Sequence, residues 1–219
     1  MPYQETIRKP AKAHGRYKKQ TGGRGQFGDC HLEIAPAEDG TGLEFVNAIK
    51  GGVIPGSFIP AVEKGVKEAM EHGTVAGYPV KDVSVRLYDG SHHNVDSSEM
   101  AFKIAGSMAF KQAMAEAGAV LLEPIVQMTI SCPEDVVGDV IGDLNSRRGR
   151  PLGMEPKGSA TEVKAEVPMA EVLDYAPDLR SISGGRADYT MEFERYEEVP
   201  SHLAEKVISA ARDAEEVKA

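Results

Sequence analysis

Apolar and polar residues alternate along Cys30-His31-Leu32-Glu33-Ile34, as they do in a half-buried strand. A turn over 37–42, rich in Asp and Gly, separates this run from a second one, Leu43-Glu44-Phe45-Val46. Strands joined by turns are therefore expected between Gly15 and Ala48. The period then changes. Ile59, Val62, Val66 and Met70 recur at helical spacing, which predicts a helix from Phe58 to His72 stopped by Gly73. Alternation returns from Val80 to Tyr88, with Val83, Val85 and Leu87 on one face. Asp96-Ser97-Ser98-Glu99 reads as a capping box, in which the Asp96 carboxylate accepts from a free amide of the first turn and Glu99 reciprocates. The helix it opens carries Ile104, Ala105, Met108, Ala109 and Met114 and ends near Gly118. Met100, Met108 and Met114 are expected to pack in the core.

The pattern resets around Leu121-Leu122-Glu123-Pro124 and then echoes itself. A strand over Ile125–Ser131 precedes a helix opened by Pro133-Glu134-Asp135, with Val137, Val140, Ile141 and Leu144 on its apolar face and Gly149 at its close. Strands follow over Leu152–Pro156 and Ala160–Val167. Pro168-Met169-Ala170-Glu171 is expected to open a second helix carrying Val172, Leu173 and Leu179, and Ala187–Phe193 to form a last strand. The order βαββαβ predicts a ferredoxin-like sandwich, with helices on one face of an antiparallel sheet. A final helix with Leu203, Val207, Ile208 and Ala211 should pack back on an earlier domain.

Composition narrows the function classes. At 219 residues, 41% hydrophobic and 27% charged, the chain reads as soluble, globular and long enough for two domains. No apolar run is long enough to span a bilayer, and the N-terminus has no apolar signal region. Cys30 and Cys132 stand far apart without a metal-ligand spacing, so both are expected to be small buried hydrophobes in a reducing compartment. The net charge of -9 argues against a general nucleic-acid coat protein. Its distribution is uneven, however. Arg8, Lys9, Lys12, Arg16, Lys18, Lys19 and Arg24 face only Glu5 and Asp29 in the first thirty residues, whereas 20 acidic residues outnumber 11 basic ones from Glu123 onward. Attraction to phosphates is expected at one end only.

Two loops carry the candidate chemistry. Gln20-Thr21-Gly22-Gly23-Arg24-Gly25-Gln26-Phe27-Gly28 is glycine-rich with one arginine and two amides. Tyr88-Asp89-Gly90-Ser91-His92-His93-Asn94-Val95-Asp96 carries adjacent imidazoles and an asparagine. Brought together, they would form a narrow polar tip suited to a groove or a phosphate backbone. The first loop lacks the P-loop pattern and precedes a strand, so nucleotide binding by this chain is not expected. His92, His93, Asp89 and Asp96 are a poor metal set, because adjacent histidines point apart in extended chain. Ser91, His93 and Asp96 lack the surroundings of a hydrolase nucleophile. Asn145-Ser146-Arg147-Arg148 closes a helix, where cations suit the dipole.

With these elements placed, the chain resembles the C-terminal third of elongation factor G, a ribosome-dependent translational GTPase. The resemblance runs through residues 21–28, Gly51-Gly52-Val53-Ile54-Pro55, Ile59-Pro60-Ala61-Val62, residues 95–103, Leu122-Glu123-Pro124-Ile125, residues 138–149, Asp178-Leu179-Arg180-Ser181 and Gly185-Arg186. It implies an α+β chain of three parts. Residues 1–122 would be a domain IV-like α/β unit similar to the second domain of a small-subunit ribosomal protein. Residues 123–200 would be a ferredoxin-like domain V, and 201–219 a helix returning to the first part.

The resemblance further implies that the tip enters the decoding region and meets the codon–anticodon duplex, a shallow A-form minor groove. Thr21, Gly22, Gly23, Arg24, Gly25, Gln26, Ser91, His92, His93 and Asn94 would touch RNA, with Gln26 and His93 foremost. Gly22, Gly23 and Gly25 would let backbone approach closely, and Arg24 with Lys18 or Lys19 would hold the phosphates. His92 stands where the family often has an aromatic residue. The implied function is promotion of tRNA and mRNA translocation. A paralogue acting in ribosome recycling or ribosome protection is the alternative. The implied partners are the small-subunit decoding region, the tRNA–mRNA duplex, large-subunit rRNA and proteins, and the GTPase domains of the same protein. A cytoplasmic monomer is expected, with no catalytic residues, metal or cofactor in this chain; GTP and Mg would belong to the missing N-terminal part. Met1 near the family's domain boundary suggests a piece cut from a longer protein.

Overall fold

The computed structural model of the chain describes residues 2–20 and 22–216. It is an α+β protein of two compact units, one holding Leu122–Glu198 and the other Tyr3–Leu121 with the segment from Val199. No helix among the described residues is long and apolar enough to cross a membrane.

The larger unit runs β1 (Gln4–Ile7), β2 (Ala11–Lys19), β3 (Gln26–Pro36), β4 (Leu43–Asn47), α1 (Ile59–Glu71), β5 (Val83–Ser91) and α2 (Glu99–Glu116). Its sheet has the order β2-β3-β5-β4, with β2, β3 and β5 antiparallel and β4 parallel to β5. The parallel pair requires the crossover that α1 provides. Leu32, Ile34, Val83, Val85 and Leu87 bury one face of the sheet against Val62, Val66, Phe110 and Met114 of the two helices. Each such side chain contributes roughly 1.5–3 kcal/mol on burial, so the alternation read in the sequence is what fixes the strands' faces. Cys30 lies in this core, and burial, helped by the neighbouring Asp29 charge, pushes its thiol up to about 12.

Three expectations fail here. Strand β2 begins at Ala11, ahead of the expected start at Gly15, because Lys12, Arg16 and Lys18 interrupt a pattern whose buried members are only Ala13 and Gly15. The strand expected from Val80 begins at Val83, because Asp82 takes a left-handed φ of 59° and breaks the extended chain. Met100 and Met108 are not core residues; they are 61% and 44% exposed, and Met114 alone of the three is buried. The inward face of α2 is instead Ala101, Phe102, Ala105, Gly106, Ala109, Phe110, Ala113 and Met114. Its small residues let α2 lie directly on the strand backbone. A Cβ on Gly28 would stand 2.4 Å from the Ala101 carbonyl oxygen, and one on Gly15 2.1 Å from that of Ala105.

The smaller unit contains β6 (Ala119–Cys132, which begins in the larger one), α3 (Val137–Ser146), β7 (Arg150–Lys157), β8 (Ala160–Pro168), α4 (Tyr175–Ser183) and β9 (Asp188–Glu198). The strand order is β7-β8-β6-β9, and these three pairings are antiparallel. In order of appearance this is second, third, first, fourth, the arrangement of a ferredoxin-like sandwich. Met128, Ile130, Val163, Ala165, Val140, Leu144, Val172, Tyr175 and Leu179 form its core, together with the buried Cys132. Pro168 does not open a helix. It ends β8 in an extended conformation, a single 3-10 turn follows over Met169–Glu171, and α4 starts only at Tyr175. Leu173, expected on the apolar face, is exposed in the intervening link, while Val172 is buried.

Arg147 and Arg148 do more than complement a helix dipole. Arg147 reaches Asp143, Asp178 and the Glu171 carbonyl. Arg148, at a left-handed φ of 59°, donates twice to the buried Glu123 carboxylate and once to Glu171. The last helix, α5 (Ser201–Glu216), falls in the same compact unit as Tyr3–Leu121, with Leu203, Val207, Ile208 and Ala211 half-buried.

Candidate nucleic-acid interface

The antiparallel order of β2, β3 and β5 places the β2–β3 turn and the end of β5 at one end of the sheet. The two loops singled out in the sequence therefore meet. Lys19 pairs with Gln26 as the last rung of β2 and β3. Asp29 pairs with Ser91, where β5 ends. The Gly25 amide donates to Asp96 Oδ1 at 3.1 Å, Arg24 Nε donates to the Val95 carbonyl at 3.0 Å, and the Phe27 amide donates to the Asp96 carbonyl at 2.9 Å. Ser97 Oγ donates to the Phe27 carbonyl at 2.9 Å and accepts from the His93 amide at 2.9 Å, so one buried hydroxyl ties both loops.

This closure changes the assignment of two residues. Asp96 is not the helix cap. Ser98 is, accepting from the Ala101 amide at 3.1 Å, and Asp96 is free to hold the glycine loop. Gly25 is buried beneath Asp96, where an added Cβ would lie 2.8 Å from Oδ2. Its lack of a side chain makes room for the Asp96 carboxylate. Gly22, with φ 47°, and Gly23 remain exposed with Arg24. Gln26 is half-buried at the base of the turn, and Thr21 lies outside the described residues.

Ser91, His92, His93 and Asn94 are all exposed. Their hydrogen bonds set the chemistry they present. His93 Nδ1 accepts from the amides of Val95 and Asp96 at 3.2 and 3.1 Å, so the neutral ring carries its proton on Nε2. His92 Nδ1 lies 3.0 Å from the Val53 carbonyl, which can only accept, so the neutral His92 ring keeps Nε2 unprotonated. Neighbouring imidazoles thus offer a donor and an acceptor.

A third loop was missed. Val53, which fixes His92, belongs to the turn after β4, where Gly51 and Gly52 take φ of 66° and 67°. Ile54 is buried against Gly90, whose absent Cβ would lie 2.6 Å from Ile54 Cδ1. The paired glycines were the available signal. The exposed surface is also less polar than expected, since Val95 is 60% exposed.

Comparison with known proteins agrees with this architecture. Residues 1–118 match the family model described as elongation factor G, domain IV, and residues 120–207 that of the elongation factor G C-terminus. Elongation factor G of Aquifex pyrophilus is 60% identical over 206 residues, which is 94% of this chain and 30% of that protein. A crystal structure of a Thermus thermophilus protein superposes with a TM-score of 0.86 at 50% identity, covering 97% of this chain and 32% of the other. The chain thus spans about a third of the length of these relatives. With matches to the domain IV and C-terminal models over nearly all of its length, the chain belongs to the elongation factor G family.

Proposed function

We propose that the three-loop tip engages an A-form RNA duplex, the paired codon and anticodon, and that through it the full-length protein promotes tRNA and mRNA translocation on the ribosome. The observation that carries this reading is the pinning of Arg24, His92 and His93 at one end of the sheet by bonds to Val95, Val53 and the loop amides. A donor from His93 Nε2 and an acceptor at His92 Nε2 suit the 2′-hydroxyls and base edges of a shallow minor groove. Arg24 and the exposed Lys18 and Lys19 add cations for the phosphates. Pre-formed loops lose little entropy on binding, which suits a steric wedge that must enter behind a moving duplex.

The test uses the full-length protein. His93→Ala and Gln26→Ala are expected to slow translocation in a reconstituted system while sparing ribosome-stimulated GTP turnover. Unchanged translocation with slowed turnover would move the chemistry away from the tip. A parent that splits ribosomes with a recycling factor but does not support peptide elongation would assign the chain to the recycling branch.

A further inference from the structure

The face of the larger sheet turned away from α2 carries a second cluster. His14 of β2 and His31 of β3 are register partners, and their rings stack with centroids 4.0 Å apart and planes 1° from parallel. Asp29 is enclosed beside them, its side chain 9% exposed. Its Oδ2 lies 2.9 Å from His14 Nε2 and its Oδ1 3.9 Å from His31 Nε2. One ligand atom from each of the three falls within 4.8 Å of the other two.

We propose that His14, Asp29 and His31 bind a divalent transition ion of the zinc class, which clasps β2 to β3 below the glycine loop. Three lines support this. Zinc takes imidazole nitrogen and carboxylate oxygen at about 2.0–2.2 Å, so its tetrahedral ligands stand about 3.3 Å apart, and the two observed separations bracket that value. Two neutral imidazoles and one carboxylate suit such an ion, and the half-exposed histidines leave a fourth position open to water. Both rings also turn the same nitrogen, Nε2, toward the carboxylate, and a small rotation of the stacked rings would bring both lone pairs onto one ion. A single hydrogen bond to Asp29 needs only one of them, whereas a shared ion uses both. Arg16 is the competing cation, with Nε 4.0 Å from Asp29 Oδ2. It lies over the Phe27 ring, 5.6 Å from the centroid, where it retains a contact when the ion enters. No local signal marks the site, because its ligands lie on two strands without a metal-binding spacing.

The experiment titrates the 219-residue chain with zinc chloride by calorimetry and with cobalt chloride by visible absorption. One equivalent should bind, with a cobalt spectrum of low coordination number. His14→Gln and His31→Gln, each confirmed as folded by circular dichroism, should each weaken binding at least about tenfold. His72→Gln and His202→Gln should leave it unchanged. Absence of a one-equivalent site in the unaltered chain overturns the proposal. So does binding that survives both His14→Gln and His31→Gln, or that disappears with His72→Gln or His202→Gln.

Discussion

The amide of Gly25 donates to the carboxylate of Asp96 across 3.1 Å, joining residues 71 positions apart. The bond replaces the helix cap that the local sequence suggested for Asp96, and it holds the carboxylate where a Cβ on Gly25 would crowd it. Asp96→Ala removes the acceptor of a buried amide and is expected to cost about 1–3 kcal/mol. Hydrogen exchange at Gly25 should accelerate at the same time. Ser98→Ala should cost about 1 kcal/mol through the helix end while leaving the Gly25 amide protected. If Asp96→Ala frayed α2 and left Gly25 exchange unchanged, the capping assignment would be restored.

The two tip histidines hold opposite neutral tautomers. Nitrogen chemical shifts at a pH where both rings are neutral should show the proton on Nε2 in His93 and on Nδ1 in His92. Asparagine places its amide near the position of Nδ1, so His93→Asn keeps an acceptor for Val95 and Asp96 but loses the outward donor. It is therefore expected to preserve folding and weaken duplex engagement. Identical tautomers in the two rings would contradict the hydrogen bonds to Val53, Val95 and Asp96.

Glu123 is a 3%-exposed carboxylate held by Arg148 Nη1 and Nη2 at 2.7 and 2.9 Å. Arg148→Ala strands that charge and is expected to destabilise the smaller unit by about 3 kcal/mol in denaturant unfolding. Arg148→Lys should recover only part, because one ammonium cannot reproduce the planar two-point contact. Arg148→Gly would relieve the left-handed backbone yet still lose the pair, so it should remain less stable than the unaltered chain. A wild-type midpoint in Arg148→Ala would show that the pair contributes nothing.

Glu166 accepts from both terminal nitrogens of Arg195 at 2.8 and 2.7 Å. That hydrogen-bonded guanidinium holds the carboxyl below the usual glutamate range, with burial opposing. A folded-state value below the unfolded one stabilises the fold above the unfolded value, and the benefit fades as pH falls through the folded value. Arg195→Gln should therefore lower Tm at pH 7, and the gap should close as the solution is acidified below about 4.3, the ordinary glutamate value. A gap that widened on acidification would reverse the sign.

Local pattern made α1, β3, β5 and the βαββαβ order legible, because burial of one face imposes a period on each element. It failed where the burial partner is backbone. The seat of α2 on Gly15 and Gly28 leaves no apolar periodicity to read, so the spacing of Met100 and Met108 points inward while their side chains are exposed. It failed again at Pro168, where proline at the end of a strand looks the same in sequence as proline at the start of a helix. The candidate loops were visible as glycine and histidine clusters, but the third loop, with Val53, was visible only as two glycines.

By itself the sequence determined the succession of elements from β3 onward, the two cores and the residues able to form a polar tip, since periodicity and turn chemistry are local properties. Tertiary structure alone decided which groups point outward. Asp96, Gly25, His14, Asp29 and His31 acquire their partners through strand pairing and loop closure, and hydrogen bonds of 71-residue separation leave no trace in neighbouring positions.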